Sequence, residues 1–143
     1  MTKDWRHYVS LSDLYYHNAE EADVKGEFSK ATELLWGAIA TGVKAVAAAH
    51  GKVLTAHRQG EDSLERFVLA LARVLDDEVM VNDFADAQAM HRNFYEGDMP
   101  TAYRRKYFAL TRRLLASLYK GLPVPSSVEL EVEDPSPPAP SET

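Results

Sequence analysis

The sequence predicts an all-α protein, an antiparallel bundle of four to five helices. Apolar residues recur at spacings of three and four from Leu11 to Lys120, which is the period of amphipathic helices. Short polar or glycine-containing connections separate these segments, as in antiparallel bundles. A strand-like alternation occurs only at residues 128–132, which are too few and too acidic to form a sheet. We therefore expect a bundle domain over residues 1–122 and a disordered acidic tail, rich in proline and serine, over 123–143.

The first two helices are predicted to form a hairpin. Ser10 or Ser12 is expected to cap the first helix, and Gly26 to end it in the left-handed conformation. The second helix is predicted over residues 27–50, with Gly51 as its stop. Small residues on its buried side permit close approach by other helices, so we expect it to be the central one. The predicted buried positions are Phe28, Ala31, Leu35, Ala38, Ile39, Gly42, Val43 and Val46.

Three further helices complete the predicted bundle. Asp62 or Ser63 is expected to cap the third helix. The acidic run at 76–78 suits the N-terminus of the fourth, because the helix dipole favours negative charge there. Pro100 is expected in the first turn of the fifth, where its missing N–H costs no hydrogen bond. These helices are predicted over residues 63–75, 79–95 and 100–119.

Composition excludes several kinds of site. The chain contains no cysteine, which excludes disulfides, thiolate metal sites and cysteine nucleophiles. No apolar run approaches the ~20 residues that cross a bilayer. The N-terminal residues lack the apolar core of a secretory signal, so a cytoplasmic protein is expected.

The net charge of −6 is unevenly distributed. Residues 101–120 carry six basic side chains and no acid, and residues 121–143 carry five acids and no base. A basic helix of this kind is able to bind phosphates, although a solvated face or a contact with the acidic tail explains it equally well. The candidate nucleic-acid or anion ligands are Arg105, Arg112 and Arg113, with Tyr103 and Tyr107 as stacking surfaces.

The densest group of functional side chains is the heptapeptide at residues 91–97, at the end of the fourth predicted helix. We predict a polar ligand site there, completed by His17 of the first helix. An imidazole and a carboxylate are able to support acid–base chemistry, but no nucleophile identifies a reaction and no catalytic residue is assigned. Capping and interhelical hydrogen bonds are the structural alternative. The predicted ligand-binding residues are His17, His91, Arg92, Asn93, Tyr95 and Glu96, of which His91, Arg92 and Glu96 are the catalytic candidates.

Histidines on three predicted helices offer a different site. If His17, His50 and His91 converge, they form a three-histidine metal site, so a metal-binding bundle is one alternative. Dimetal bundles require Glu-x-x-His on two helices, and the nearest match here is Gln88-x-x-His91. No metal ligand and no cofactor is therefore predicted.

Two motifs resemble those of the archaeal PaREP family. The first begins at Ala19-Glu20, continues through Lys-Gly-Glu-Phe at 25–28 and ends in Ala-Thr-Glu-Leu-Leu-Trp-Gly-Ala at 31–38, where Leu34 replaces the usual lysine. The second is His-Arg-Asn-Phe-Tyr-Glu-Gly at 91–97. The resemblance covers about residues 10–118 and implies a helical fold.

That family is similar to the HEPN superfamily of helical bundles, which includes ribonucleases, toxins and partners of minimal nucleotidyltransferases. The ribonuclease motif of that superfamily consists of an Arg followed directly by a polar residue, and of a His that is separated from the Arg by four to six residues. Arg92 and Asn93 match its start, but residues 97–99 are Gly, Asp and Met. The resemblance therefore implies a homodimeric binding module whose partner is a nucleotidyltransferase-type protein, a nucleotide or RNA. The alternative is a ribonuclease or nucleotide-processing enzyme that uses the His91–Glu96 segment.

Overall fold

The computed structural model describes residues 4–54, 60–94 and 99–122, and within these ranges every regular element is helical. The all-α prediction is confirmed. In the same ranges no helix combines the length and the apolar character that crossing a bilayer requires. The predicted tail at 123–143 lies outside the described residues. The elements are α1 (Trp5–Val24), α2 (Phe28–Ala49), α3 (Gly60–Leu75), α4 (Glu78–Phe94), α5 (Thr101–Leu118) and a 3-10 turn (Tyr119–Gly121).

The central helix is α2, as predicted, and it contacts all four other helices. Gly42 permits the close approach of α5, because a Cβ at this position would lie 2.5 Å from Leu115 Cδ2. The packed side chains are mostly aliphatic, as expected of a close-packed interior. The fully buried core includes Leu35, Ile39, Val43 and Val46 of α2, Met80 of α4, and Tyr107, Leu110, Leu114 and Leu118 of α5.

Glycines end both helices of the α1–α2 hairpin. Gly26 has a φ of +79° and Gly51 a φ of +75°, a conformation that residues with a Cβ rarely adopt. Both helix ends therefore lie where the sequence predicts them. The connection between the helices is only three residues long, so α1 and α2 run antiparallel in direct contact.

The predicted start of α1 is wrong. The helix begins at Trp5 rather than near Leu11, so Ser10 and Ser12 lie inside it and neither caps it. Ser12 is buried, and its hydroxyl donates a hydrogen bond of 2.7 Å to the carbonyl oxygen of Ala38 in α2. A serine in a helix is able to bond a neighbouring backbone carbonyl as well as cap its own helix, and the sequence did not distinguish these roles.

The predicted starts of α3, α4 and α5 are close to the observed starts. α3 begins at Gly60, so the predicted caps Asp62 and Ser63 lie within its first turn. Asp77 does precede α4 as an acidic cap: its Oδ1 accepts a hydrogen bond of 3.1 Å from the backbone N–H of Met80. Pro100 occupies the position just before α5, one residue earlier than predicted.

Candidate functional site

His91 lies in the last turn of α4 and packs against α2. Its imidazole stacks on the indole of Trp36, with ring centroids 4.9 Å apart and planes inclined by 13°. Trp36 also contacts Phe84, about two turns before His91 on the same side of α4, with ring centroids 5.9 Å apart. Both His91 and Trp36 are half-buried, so the stack keeps some surface at solvent.

His17 lies in a different environment from His91. Its Nδ1 is 3.2 Å from Glu20 Oε1 on the exposed side of α1. A shallow depression there is lined by His17, Glu20, Glu21, Val24 and Lys25, all from α1 and the residue after it. The described contacts of His17 and of His91 share no residue, so they do not show the joint pocket that we predicted.

The rest of the heptapeptide is only partly described. Arg92 and Asn93 are exposed at the end of α4. Tyr95 and Glu96 lie outside the described residues, so the predicted pairing of an imidazole with the Glu96 carboxylate stays a prediction.

The three histidines considered as metal ligands have separate partners. His50 Nε2 lies 2.9 Å from the carbonyl oxygen of Gly121. His17 faces Glu20, and His91 stacks on Trp36. Within the parts of the chain that the structure describes, no three His, Asp or Glu side chains are close enough to hold one metal ion.

Tyr107 is an interior residue, so the prediction that it offers a stacking surface is wrong. It has no exposed surface, and its hydroxyl has no hydrogen-bond partner among the described residues. Burial, with a smaller contribution from the Glu33 carboxylate, raises the pKa of Tyr107 above its ordinary value near 10. Tyr103, the other aromatic residue of the pair, is 45% exposed.

The basic side chains of α5 divide into structural and exposed ones. Arg113 donates two hydrogen bonds of 2.9 Å to the carboxylate of Asp83, whose side chain is 5% exposed. Arg112 donates a bond of 2.7 Å to the hydroxyl of Tyr16 in α1. Arg105 is exposed and makes no ion pair among the described residues. The structure therefore leaves Arg105 as the least engaged of the three predicted anion ligands.

Arg104 has a structural role that the sequence did not reveal. Its side chain is 12% exposed, and its Nε donates a bond of 3.1 Å to Asp23 at the end of α1. The guanidinium lies 3.6 Å from the ring centroid of Phe28, a cation–π contact, and also donates to the Met99 carbonyl oxygen at 3.3 Å. These partners hold α5 against the α1–α2 turn. Asp23 is 81 residues away along the chain, so no local sequence pattern predicts the Arg104–Asp23 pair.

The outer side of the α1–α2 hairpin keeps large apolar side chains near solvent. Leu11, Leu14 and Tyr15 share one side of α1 by their spacing, and Leu14 is 52% exposed. The Tyr15 ring packs on Gly37, where a Cβ would lie 3.4 Å from it. Because the helices are antiparallel, the positions after Gly37 on α2 run beside those before Tyr15 on α1. We call Leu11, Leu14, Tyr15, Ala40 and Lys44 the hairpin surface.

Comparison with known proteins supports the resemblance seen in the sequence. A family model described as the archaeal PaREP1/PaREP8 family matches residues 7–114, which is well over half of the chain. A comparison with curated proteins and one with solved structures found no match.

Proposed function

We propose that this chain, which belongs to the archaeal PaREP1/PaREP8 family, works as a homodimeric, HEPN-like interaction module. The observation that carries the proposal is the hairpin surface. Apolar groups at solvent are ordinary when they are single, but here Leu11, Leu14 and Tyr15 lie together on one side of α1. A second copy of the same surface is able to cover them, because a two-fold interface pairs one patch with itself.

The half-buried Lys44 supports a partner at this surface. It makes no ion pair among the described residues, although it lies among Ala40, Val43 and other apolar positions of α2. The alkyl chain of a lysine is able to cover apolar surface while its ammonium group stays at solvent. A partner that supplies a carboxylate is therefore able to pair with Lys44 at the edge of this apolar surface.

Purified protein at micromolar concentration is expected to have twice the 16.0 kDa mass of one chain, measured by light scattering after size exclusion. Leu14→Glu places a charge in the apolar part of the proposed interface, so we expect it to yield the single-chain mass with unchanged helix content. Val24→Glu is the matched control, because Val24 is 88% exposed at the far end of α1, and it is expected to stay dimeric. A single-chain mass for the unmodified protein would contradict the proposal.

A second candidate function is binding of a nucleotide or RNA at the Trp36–His91 stack. The half-buried aromatic pair supports it, because bases stack on such rings; the next residue in the sequence is the exposed Arg92, and guanidinium groups bind phosphate.

Titration of a Trp5→Phe variant with ATP or a short single-stranded RNA tests this candidate, since Trp36 is then the only tryptophan. We expect quenching of its fluorescence, and about tenfold weaker binding in His91→Ala. His17→Ala is the control and is expected to bind normally. Analysis of the RNA on a denaturing gel in the same experiment tests the ribonuclease alternative. Unchanged fluorescence at millimolar nucleotide and micromolar RNA contradicts the candidate.

A further inference from the structure

Glu33 is the acidic neighbour of Trp36 on α2. The two residues are three positions apart, so they share one side of the helix, with roughly 5–6 Å between their Cβ atoms. Cα–Cβ bonds in a helix tilt towards its N-terminus, and this tilt directs the Trp36 side chain towards the turn that holds Glu33. A carboxylate therefore borders the Trp36–His91 stack.

The Glu33 carboxylate is available to a ligand. Glu33 is exposed and forms no salt bridge among the described residues, whereas Glu27 lies 3.8 Å from Lys30 Nζ. The Glu33 charge also acts on the interior: burial, with a smaller contribution from Glu33, raises the pKa of Tyr107. The carboxylate is thus close enough to the packed core to act on a buried phenol, and it is still open to solvent.

His91 leaves part of the indole uncovered. An imidazole is a single ring and an indole a fused pair of rings, so one imidazole stacked at 4.9 Å covers only part of the indole face. Both residues are half-buried, so the stack keeps some surface at solvent. A planar ligand is able to extend this stack, because nucleobases stack favourably on aromatic side chains.

A carboxylate beside an aromatic surface favours guanine over the other bases. An ionised carboxylate only accepts hydrogen bonds, and its two oxygens are able to accept from two adjacent donors. Guanine offers two such donors on its Watson–Crick edge, the N1–H and the 2-amino group. Adenine and cytosine place a ring acceptor beside the amino group, and uracil has a single donor between two carbonyl oxygens.

We propose that the Trp36–His91 stack takes a guanine base, whose N1–H and 2-amino group donate to the Glu33 carboxylate. The assignment rests on the base-binding candidate above and names the base that this site selects. The guanine belongs to a free nucleotide or to single-stranded RNA, since both present the same edge.

The base preference is measured with the Trp5→Phe variant, in which Trp36 is the only tryptophan. GMP, IMP and AMP carry the same phosphate, so differences between their dissociation constants report on the base. We expect GMP to quench Trp36 fluorescence with a dissociation constant about tenfold below that of AMP, as a bidentate pair discriminates between bases by this order. IMP lacks the 2-amino group and is expected to lie between the two.

Glu33→Gln in the same background tests the role of the carboxylate. It keeps the size of the side chain but replaces one acceptor oxygen with a donor amide, which opposes the guanine 2-amino group and matches the donor and acceptor of adenine. We expect GMP binding to weaken about tenfold and AMP to bind at least as tightly as GMP. Glu65→Gln, on the exposed side of α3, removes the same charge and is expected to keep the preference for GMP. Far-UV circular dichroism checks that each variant stays helical.

A short oligouridylate with one central guanine, compared with GMP, separates the two sources of the base. Tighter binding of the guanine-containing RNA assigns the site to RNA, and similar affinities assign it to the free nucleotide.

The outcomes separate guanine selection from base binding in general. Equal dissociation constants for GMP and AMP overturn the guanine assignment and leave base stacking at Trp36 standing. A preference for GMP that survives Glu33→Gln overturns the pairing with Glu33. Unchanged fluorescence with every nucleotide and RNA overturns both the guanine assignment and the base-binding candidate.

Discussion

Arg113→Ala is expected to lower the free energy of unfolding by about 2 kcal/mol, measured by urea denaturation. The guanidinium gives two hydrogen bonds to Asp83, and without it a carboxylate with 5% exposed surface has lost its charged partner. Because the Arg113 side chain is itself 54% exposed, solvent screens part of the pair, and the effect falls below that of a fully buried ion pair.

The neighbouring arginine provides the control. Arg112 has the same charge, one residue earlier, and its described contact is a single bond to the Tyr16 hydroxyl. Arg112→Ala is therefore expected to cost less than about 1 kcal/mol. Asp83→Asn in the Arg113→Ala background is expected to recover part of the loss, since it removes the unpaired charge. Equal losses for the two arginines would contradict the structural role of Arg113.

Arg104→Ala is expected to destabilise the protein by about 2–3 kcal/mol in the same measurement. The substitution removes the bond to Asp23, the bond to the Met99 carbonyl oxygen and the cation–π contact with Phe28. Arg104→Lys keeps the charge but not the planar fork, so it is expected to recover less than half of the loss.

Arg105→Ala is the matched control for Arg104→Ala. The side chain is exposed, and the substitution is expected to change the unfolding free energy by less than about 0.5 kcal/mol. If Arg105→Ala were as destabilising as Arg104→Ala, the loss of unfolding free energy would arise from removing any positive charge from α5 rather than from the contacts of Arg104.

Features that depend on neighbours in sequence were predictable, and those that depend on distant partners were not. Gly26 and Gly51 end α1 and α2 because their positive φ values suit glycine. A glycine that follows a periodic apolar segment therefore predicts a helix end from the local sequence alone. Ser12 has the side chain of a cap, yet its partner, the Ala38 carbonyl, lies on another helix. The sequence shows that the Ser12 hydroxyl is able to form a hydrogen bond, but it does not show towards which helix that hydroxyl points.

In the candidate site, too, local features were predictable and distant partners were not. The sequence singled out His91 because functional groups are dense around it, and the structure gives it a half-buried position. Trp36, its stacking partner, is 55 residues earlier, and no spacing rule connects the two. From the sequence we selected Arg105, Arg112 and Arg113 as anion ligands by their spacing, and spacing did not show that Arg104 is structural and Arg105 exposed. The partners of each guanidinium show which of these cations stabilise the fold, whereas the net charge of the helix does not.

The three-residue turn of the α1–α2 hairpin also bears on the order of assembly during synthesis. A short loop closes at little entropic cost, so α1 and α2 are able to pair as soon as both have left the ribosome. Arg104, which contacts the turn from α5, is synthesised 55 residues after Ala49, the last residue of α2. If the hairpin pairs before then, its own contacts alone hold it together, and the core side of α2 stays uncovered until the later helices arrive.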